Sequence, residues 1–168
     1  MKYFKELLPY ILVIIIVFVI RQFFISPIQV VGSSMIPNLN DKELMLLDKI
    51  SYNFNDIKRF DIVVIKKQDK PIIKRVIGLP GESVKYENNK LYINGKEIKE
   101  DFSKNGKTDD FDTSILGDTK IPDDYYFVVG DNRINSKDSR VIGLINKKEI
   151  EGRAFFVLYP FNKFGIIK

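Results

Sequence analysis

The opening segment, "MKYFKELLPYILVIIIVFVIRQFFISP", cannot share a packed core with the rest of the chain. Leu7 to Ile20 is an uncharged apolar run of 14 residues, and apolar residues resume after Arg21 and Gln22 through Ile25. The run is apolar on every face, whereas a helix lying on a globular core keeps a polar one. Fourteen residues fall short of the roughly 20 a bilayer requires. Counting from Leu7 to Ile25, with Arg21 extending its charge toward the headgroups, reaches that length. No small-x-small cleavage site follows, and the only alanine in the chain is Ala154. Residues 1–26 are therefore expected to form an uncleaved transmembrane helix rather than a removable leader or a buried core helix. Lys2, Lys5 and the terminal amine outweigh Glu6, which places the N-terminus in the cytoplasm. Residues 27–168 then form an extracytoplasmic domain on a single-pass protein of the cell membrane.

After Pro27 the pattern becomes strand-like. "IQVV", "LMLLD", "DIVVIK", "PIIKRVI", "KLYI", "YYFVVG" and "RAFFVLY" are short apolar or alternating runs rich in β-branched and aromatic residues. "LYINGKEI" sets Asn94-Gly95 between two such runs, a strong hairpin signal. Residues 99–121 are polar and turn-rich, and are expected to be a long surface excursion. The fold class is mainly β, a coiled antiparallel sheet domain behind one N-terminal transmembrane helix.

Composition restricts the chemistry. The 168 residues include no cysteine and no histidine. That excludes disulfides, thiolate or imidazole metal sites, cysteine nucleophiles and a Ser-His-Asp triad. No cofactor and no metal are expected. Net charge is +5, but the 24 basic and 21 acidic residues beyond residue 25 are mixed along the chain. A nucleic-acid footprint would cluster the basic residues, so no nucleic-acid partner is expected.

A serine nucleophile without histidine needs another base, and a lysine kept neutral by burial is the available choice. Lys74 in "KPIIKRVIGLPG" is embedded in apolar strand sequence. Alternation places it on the face of Ile72 and Val76, with Ile73, Arg75 and Ile77 opposite. The competing reading is an edge strand that uses lysine against aggregation. "GDNRINSKDSR", residues 130–140, is dense in polar side chains directly after an apolar strand. It could orient a base, or simply be a turn held by Asx-type bonds and an ion pair.

Together the segments resemble the type I signal peptidases, membrane-anchored Ser-Lys proteases, in their compact Gram-positive form. The motifs stand in family order behind the apolar segment: "SSMIPNL", "FDIVV", "IKRVIGLPGE" and "GDNRINSKDSR". The resemblance implies that Ser34 is the nucleophile, Lys74 the general base and Ser136 the residue that orients that lysine. Asp138 and Arg140 align with a supporting ion pair, and Asp131 and Arg133 with structural parts of the same motif. Ser33 is read as a spacer. Ile28, Val30, Met35, Leu39, Ile72 and Ile73 are candidate walls of shallow apolar substrate pockets, or ordinary core. The implied partners are signal peptides of exported preproteins, the lipid bilayer and a nearby secretion translocase. Four positions depart from the family pattern: Asn38 for Thr, Phe60 for Gly, Glu82 for Asp, and Gly32 where some members carry an oxyanion-stabilising serine. A self-cleaving repressor of the same Ser-Lys type would need a DNA-binding domain and an Ala-Gly or Cys-Gly bond, which this chain lacks. Retention of Ser34, Lys74, Ser136 and Asp138 together argues against an inactive anchored β domain.

Overall fold

The computed structural model describes residues 2–67, 70–117 and 119–167. Helix α1 (Lys2–Phe23) leads into β1 (Ile25–Gln29), so strand begins two residues before the expected break at Pro27. There follow β2 (Leu44–Asp48), α2 (Ser51–Phe54), β3 (Ile62–Ile65), β4 (Ile72–Gly78), β5 (Val84–Glu87), β6 (Lys90–Ile93) and β7 (Lys96–Ile98). The chain continues through β8 (Phe111–Asp112), β9 (Tyr125–Val129), α3 (Ser139–Ile142), β10 (Ile145–Asn146), β11 (Ile150–Tyr159) and β12 (Gly165–Ile166).

The expected membrane span does not stand as such: among the described residues no helix is long and apolar enough to cross a membrane. The uncharged run that starts at Leu7 ends at Arg21, and at about 1.5 Å per residue it rises only some 20 Å, against a hydrocarbon core of about 30 Å. The side chains of Lys2, Lys5 and Glu6, on which the expected orientation rests, lie outside the described residues. What the structure does show is that residues 7–24 are exposed without a break, so the helix packs its apolar surface on nothing in the domain.

The larger sheet runs β1-β2-β11-β3-β4-β9-β10, with β12 on β11, and every pairing is antiparallel. It curls until its first strands meet its middle ones. Val30, Met35, Leu39, Met45 and Leu47 pack in one cluster with Ile62, Val64, Ile73, Ala154 and Val157. Val63, Ile65, Val76, Tyr126, Val128 and Ile145 fill a second cluster on the opposite face. Both faces of β3 and β4 are therefore covered, which is why "IVVI" and "IIKRVIG" lack a polar face. Lys74 is only 3% exposed, so it is not the solvent-facing lysine of the edge-strand reading.

A smaller sheet, β7-β6-β5-β8, packs through Val84, Tyr86, Leu91 and Ile93 onto Ile77, Phe127 and Val129 of the larger one. Its β6–β7 turn is the expected one, with Asn94 and Gly95 both at positive φ. The β5–β6 turn is made by Asn88 and Asn89, also at positive φ. The two sheets pack tightly at Gly78, where a Cβ would stand 2.4 Å from Val84 Cγ2 and 2.5 Å from Ile121 Cδ1. Gly78→Ala is expected to destabilise the fold by about 1–3 kcal/mol, read as a lowered urea midpoint at unchanged slope. An unshifted midpoint would mean the sheets separate freely there.

Residues 99–121 run largely over the surface, as their polarity suggested, but are anchored inward at several points. Thr108, Thr113 and Ile121 are buried, and the Glu100 carboxylate pairs with the buried Arg133 guanidinium at 2.5 Å. Arg133 also donates to Thr108 Oγ1 at 2.7 Å and to the Tyr86 hydroxyl at 3.2 Å. These polar residues face inward because a buried guanidinium has five N–H groups to satisfy.

Candidate active site

Ser34 sits in the turn after β1, and Lys74 is the third residue of β4. The curl of the sheet brings them together, and Lys74 Nζ lies 2.7 Å from Ser34 Oγ. A second bond runs from Lys74 Nζ to the Ile73 carbonyl at 2.9 Å. The lysine is only 3% exposed. Burial pushes its pKa down from 10.5 to about 8, although the Asp138 and Asp131 carboxylates pull the other way. An amine at that value is neutral often enough near pH 7 to take a proton from the adjoining hydroxyl.

The 130–140 loop supports this pair. Gly130 follows β9 directly, and its N–H donates to Asp138 Oδ2 at 2.9 Å. A Cβ on Gly130 would come within 2.5 Å of the Ser34 carbonyl oxygen and 2.2 Å of Ser136 Oγ, so only glycine allows the loop this close to the serine. Asp138 is fully buried and receives both Nε and Nη2 of Arg140 at 2.9 Å. Burial opposes its ionisation, but the Arg140 fork and the Gly130 N–H outweigh it and hold the carboxyl below the usual range. The expected Asp138–Arg140 pair is thus present.

Ser136 is placed differently from expectation. Its hydroxyl is buried above Gly130 and adds to the field that keeps Asp138 ionised, yet it makes no bond of full hydrogen-bond geometry, to Lys74 or to any other described group. Lys74 is oriented instead by its own strand's Ile73 carbonyl. That carbonyl is 2.9 Å from the lysine nitrogen, whereas the Ser136 hydroxyl crowds Gly130 beside the Ser34 carbonyl.

Asp131 holds the Arg75 side chain from below, taking Nε at 2.9 Å and Nη2 at 2.8 Å, with both residues at most 2% exposed. Arg75 also donates to the Phe60 carbonyl at 2.9 Å and lies 4.0 Å from the centre of the Phe102 ring. Phe60 has φ +72°, the left-handed region that favours glycine, which accounts for the Gly in the family pattern. Here the strain is held by the Arg75 bond, by the Phe60 N–H on the Val76 carbonyl, and by edge-on packing against Phe102. Asn38 donates to both Asp131 Oδ2 at 2.7 Å and the Ser103 carbonyl at 2.8 Å. The single hydroxyl of a threonine could reach only one of them. Glu82 keeps a carboxylate at its position and grips Arg59 with both oxygens.

Ser33 is more than a spacer. Its carbonyl accepts Asn132 Nδ2 at 3.0 Å and its hydroxyl accepts Asn135 Nδ2 at 3.2 Å. The Asn132 N–H donates to the Ser34 carbonyl at 3.0 Å. Gly32 stands at φ +89°, with its N–H on Asp41 Oδ1 at 2.8 Å. Sequence reasoning missed Asn135 and Asn105, and gave Asn132 no particular role at the serine. The density of asparagine around a serine-bearing turn was the available signal.

Among the expected pocket walls, Val30, Met35, Leu39 and Ile73 are almost wholly buried in one cluster, with Ile28 packed against its edge. Ile72 belongs to the opposite face, on the Lys74 side, and packs on the other cluster. The six therefore do not form one surface. Four are floor, and only Ile28 and Ile72 are part-exposed. Among the described residues no group of His, Cys, Asp and Glu has the makings of a metal site.

Comparison with known proteins identifies the family. The family described as "Signal peptidase, peptidase S26" matches residues 3–159. Signal peptidase I of Bacillus amyloliquefaciens is 42% identical over 159 residues, covering 91% of this chain and 86% of that protein. Signal peptidase I V of Bacillus subtilis is 47% identical over 134 residues, covering 74% and 80%. A crystal structure of a signal peptidase I from Enterococcus faecalis superposes with TM-score 0.54 at 37% identity, over 59% of this chain and 97% of that one. With its family match running almost end to end and a serine–lysine pair at the meeting point of its sheet, the chain belongs to the type I signal peptidases of the S26 serine peptidase family.

Proposed function

We propose that this protein is a membrane-bound serine endopeptidase that removes N-terminal signal peptides from exported preproteins, using Ser34 as nucleophile and neutral Lys74 as general base. The observation that carries the reading is the 2.7 Å contact between Ser34 Oγ and a lysine whose burial depresses its pKa. Lys74 Nζ takes the Ser34 proton as Oγ attacks the scissile carbonyl carbon. The tetrahedral oxyanion collapses, the C–N bond breaks, and the Lys74 ammonium returns the proton to the leaving amine. The neutral Lys74 amine then deprotonates the water that attacks the ester, and as the acyl–Oγ bond breaks the Lys74 ammonium returns that proton to Ser34. Asp138 and Arg140 support the loop that holds the pair, and Ser136 packs between that loop and Gly130.

Two free edges suit an extended substrate. β1 is the terminal strand of its sheet. Ile72 to Lys74 pair with β3 on one side only, since β9 joins β4 from Arg75 onward. A peptide adding as a strand there would pass Ser34 and set alternate side chains against Ile28 and Ile72. Small residues at those positions of the signal peptide fit the shallow floor of Val30, Met35, Leu39 and Ile73.

Anchoring is supported by the unbroken exposure of residues 7–24, an apolar surface with no protein partner in the domain. Inserted in the bilayer with its N-terminus cytoplasmic, α1 holds Ser34 near the extracytoplasmic face, where the translocase delivers preproteins.

The test is cleavage of a reporter preprotein by the full chain in lipid vesicles. Ser34→Ala is expected to lose at least about 10³-fold in kcat/KM, while Ser33→Ala keeps its Asn132 bond through the backbone and loses less than about tenfold. Wild-type cleavage by Ser34→Ala would remove the assignment.

A further inference from the structure

The mechanism needs a donor for the oxyanion, and with Gly32 offering no side chain the Ser34 backbone N–H is the group at hand. Among the described residues that N–H makes no hydrogen bond. Its direction is set by its neighbours. The Ser33–Ser34 peptide is trans and planar, so its N–H points opposite to the Ser33 carbonyl. That carbonyl is held twice, by the Ile36 N–H at 3.2 Å and by Asn132 Nδ2 at 3.0 Å. The other end of the serine is held by the Asn132 N–H on the Ser34 carbonyl.

Asn132 can do this only with its amide nitrogen toward Ser33, and one residue decides that orientation. Asn105 Nδ2 donates to Asn132 Oδ1 at 3.0 Å, which turns the oxygen away from the serine. Asn105 is itself tied to the loop, its N–H on the Asp131 carbonyl at 3.0 Å and its carbonyl accepting the Arg133 N–H at 2.9 Å. Resting on the Ser34 reading, we propose that Asn132 and Asn105 are positioning residues for the oxyanion hole. Asn105, from the segment that looked like a surface excursion, fixes the Asn132 amide, and Asn132 aims the Ser34 N–H by gripping the far end of the same peptide. The chain compensates in this way for a position at which some relatives supply a hydroxyl.

Asn105→Asp and Asn105→Ala separate aiming from bracing. Asn105→Asp keeps shape and backbone bonds but presents only acceptors, so it draws the Asn132 nitrogen round and turns Oδ1 on the Ser33 carbonyl. Asn105→Ala merely releases the amide. A brace would be hurt more by alanine, an aiming device more by aspartate. We expect kcat/KM to fall about 10-fold in Asn105→Ala and about 100-fold in Asn105→Asp, mainly in kcat, against the 10²–10³-fold that loss of a whole oxyanion donor costs. Asn132→Ala is expected to match Asn105→Asp.

The decisive readout is a ratio. A peptide boronic acid forms a tetrahedral adduct on Ser34 with an oxygen in the hole, and a non-cleavable signal-peptide analogue of the same sequence does not. Boronate affinity is expected to fall by the same factor as kcat, with analogue affinity unchanged within about twofold. The ratio of the two is independent of the fraction of variant that folds. Equal losses for both ligands, or Asn105→Asp milder than Asn105→Ala, would overturn the proposal while leaving Ser34 as nucleophile. Full activity in Ser34→Ala would overturn the nucleophile and the proposal with it.

Discussion

At pH 7 the cleavage rate at low substrate is expected to be about a tenth of its alkaline plateau, rising with pH through about 8 and falling tenfold per unit below. The rate follows the neutral fraction of Lys74, whose burial puts that midpoint far below the 10.5 of a free lysine. Lys74→Met should lose about 10²–10⁴-fold and, whatever rate remains, its pH dependence near 8. A wild-type profile flat from pH 6 to 9 would remove Lys74 as the base. The same group has a signature in stability. Its folded pKa lies below its unfolded one, so between about 8 and 10.5 the unfolded chain holds the proton more often than the folded one. Wild-type stability therefore rises with pH through that window and carries its full penalty below it, roughly 3 kcal/mol at 1.36 per unit. Lys74→Met has no such term. Urea midpoints of the two proteins at pH 7 and pH 10 should converge at the higher value as the wild type gains. Parallel midpoints would mean that the lysine is solvated in the fold.

Asp131→Ala is expected to destabilise the protein by about 3–5 kcal/mol, the cost of leaving a buried charge unpaired. Arg75 would keep its bond to the Phe60 carbonyl but lose both carboxylate contacts, at 2.9 and 2.8 Å, with its side chain only 2% exposed. Asn38 would lose one of its two acceptors as well. Activity should fall further than the folded fraction accounts for, because Arg75 adjoins Lys74 on β4 and Asp131 adjoins Asn132. The double variant Asp131→Leu with Arg75→Met removes both charges, and should recover most of the stability without recovering the activity. Denaturation midpoints and active-site-normalised kcat decide it. A stable single variant would show that water reaches Arg75.

How much of this was legible depended on whether a residue's partner lay nearby in sequence. The strands β2, β3, β4, β6, β9 and β11 follow from their own apolar runs, and the Asn94-Gly95 hairpin from two residues that tolerate positive φ. Asn88 and Asn89 make the same kind of turn and passed unnoticed, because asparagine signals positive φ less sharply without glycine beside it. Lys74 stood out as a lysine in apolar strand sequence in a chain without histidine, but the choice of Ser34 as its partner, 40 residues away, came from the family resemblance. The role expected of Ser136 did not appear. Whether that hydroxyl meets the lysine depends on how the 130–140 loop packs on Gly130, and no motif specifies that.

The sequence by itself indicated the β-rich class, the separate apolar segment and the chemistry open to the site, because these rest on local pattern and on which side chains exist. The serine–lysine pair proposed at its centre came through the family resemblance. The tertiary structure alone decided how the site is held. The curl that brings Ser34 to Lys74, the buried Arg75–Asp131 fork, the inward-facing Glu100 and Thr108 around Arg133, and the line from Asn105 through Asn132 to Ser33 all join residues distant in the chain. A polar residue reads as surface until the buried charge it satisfies is known, and only the folded chain supplies that partner.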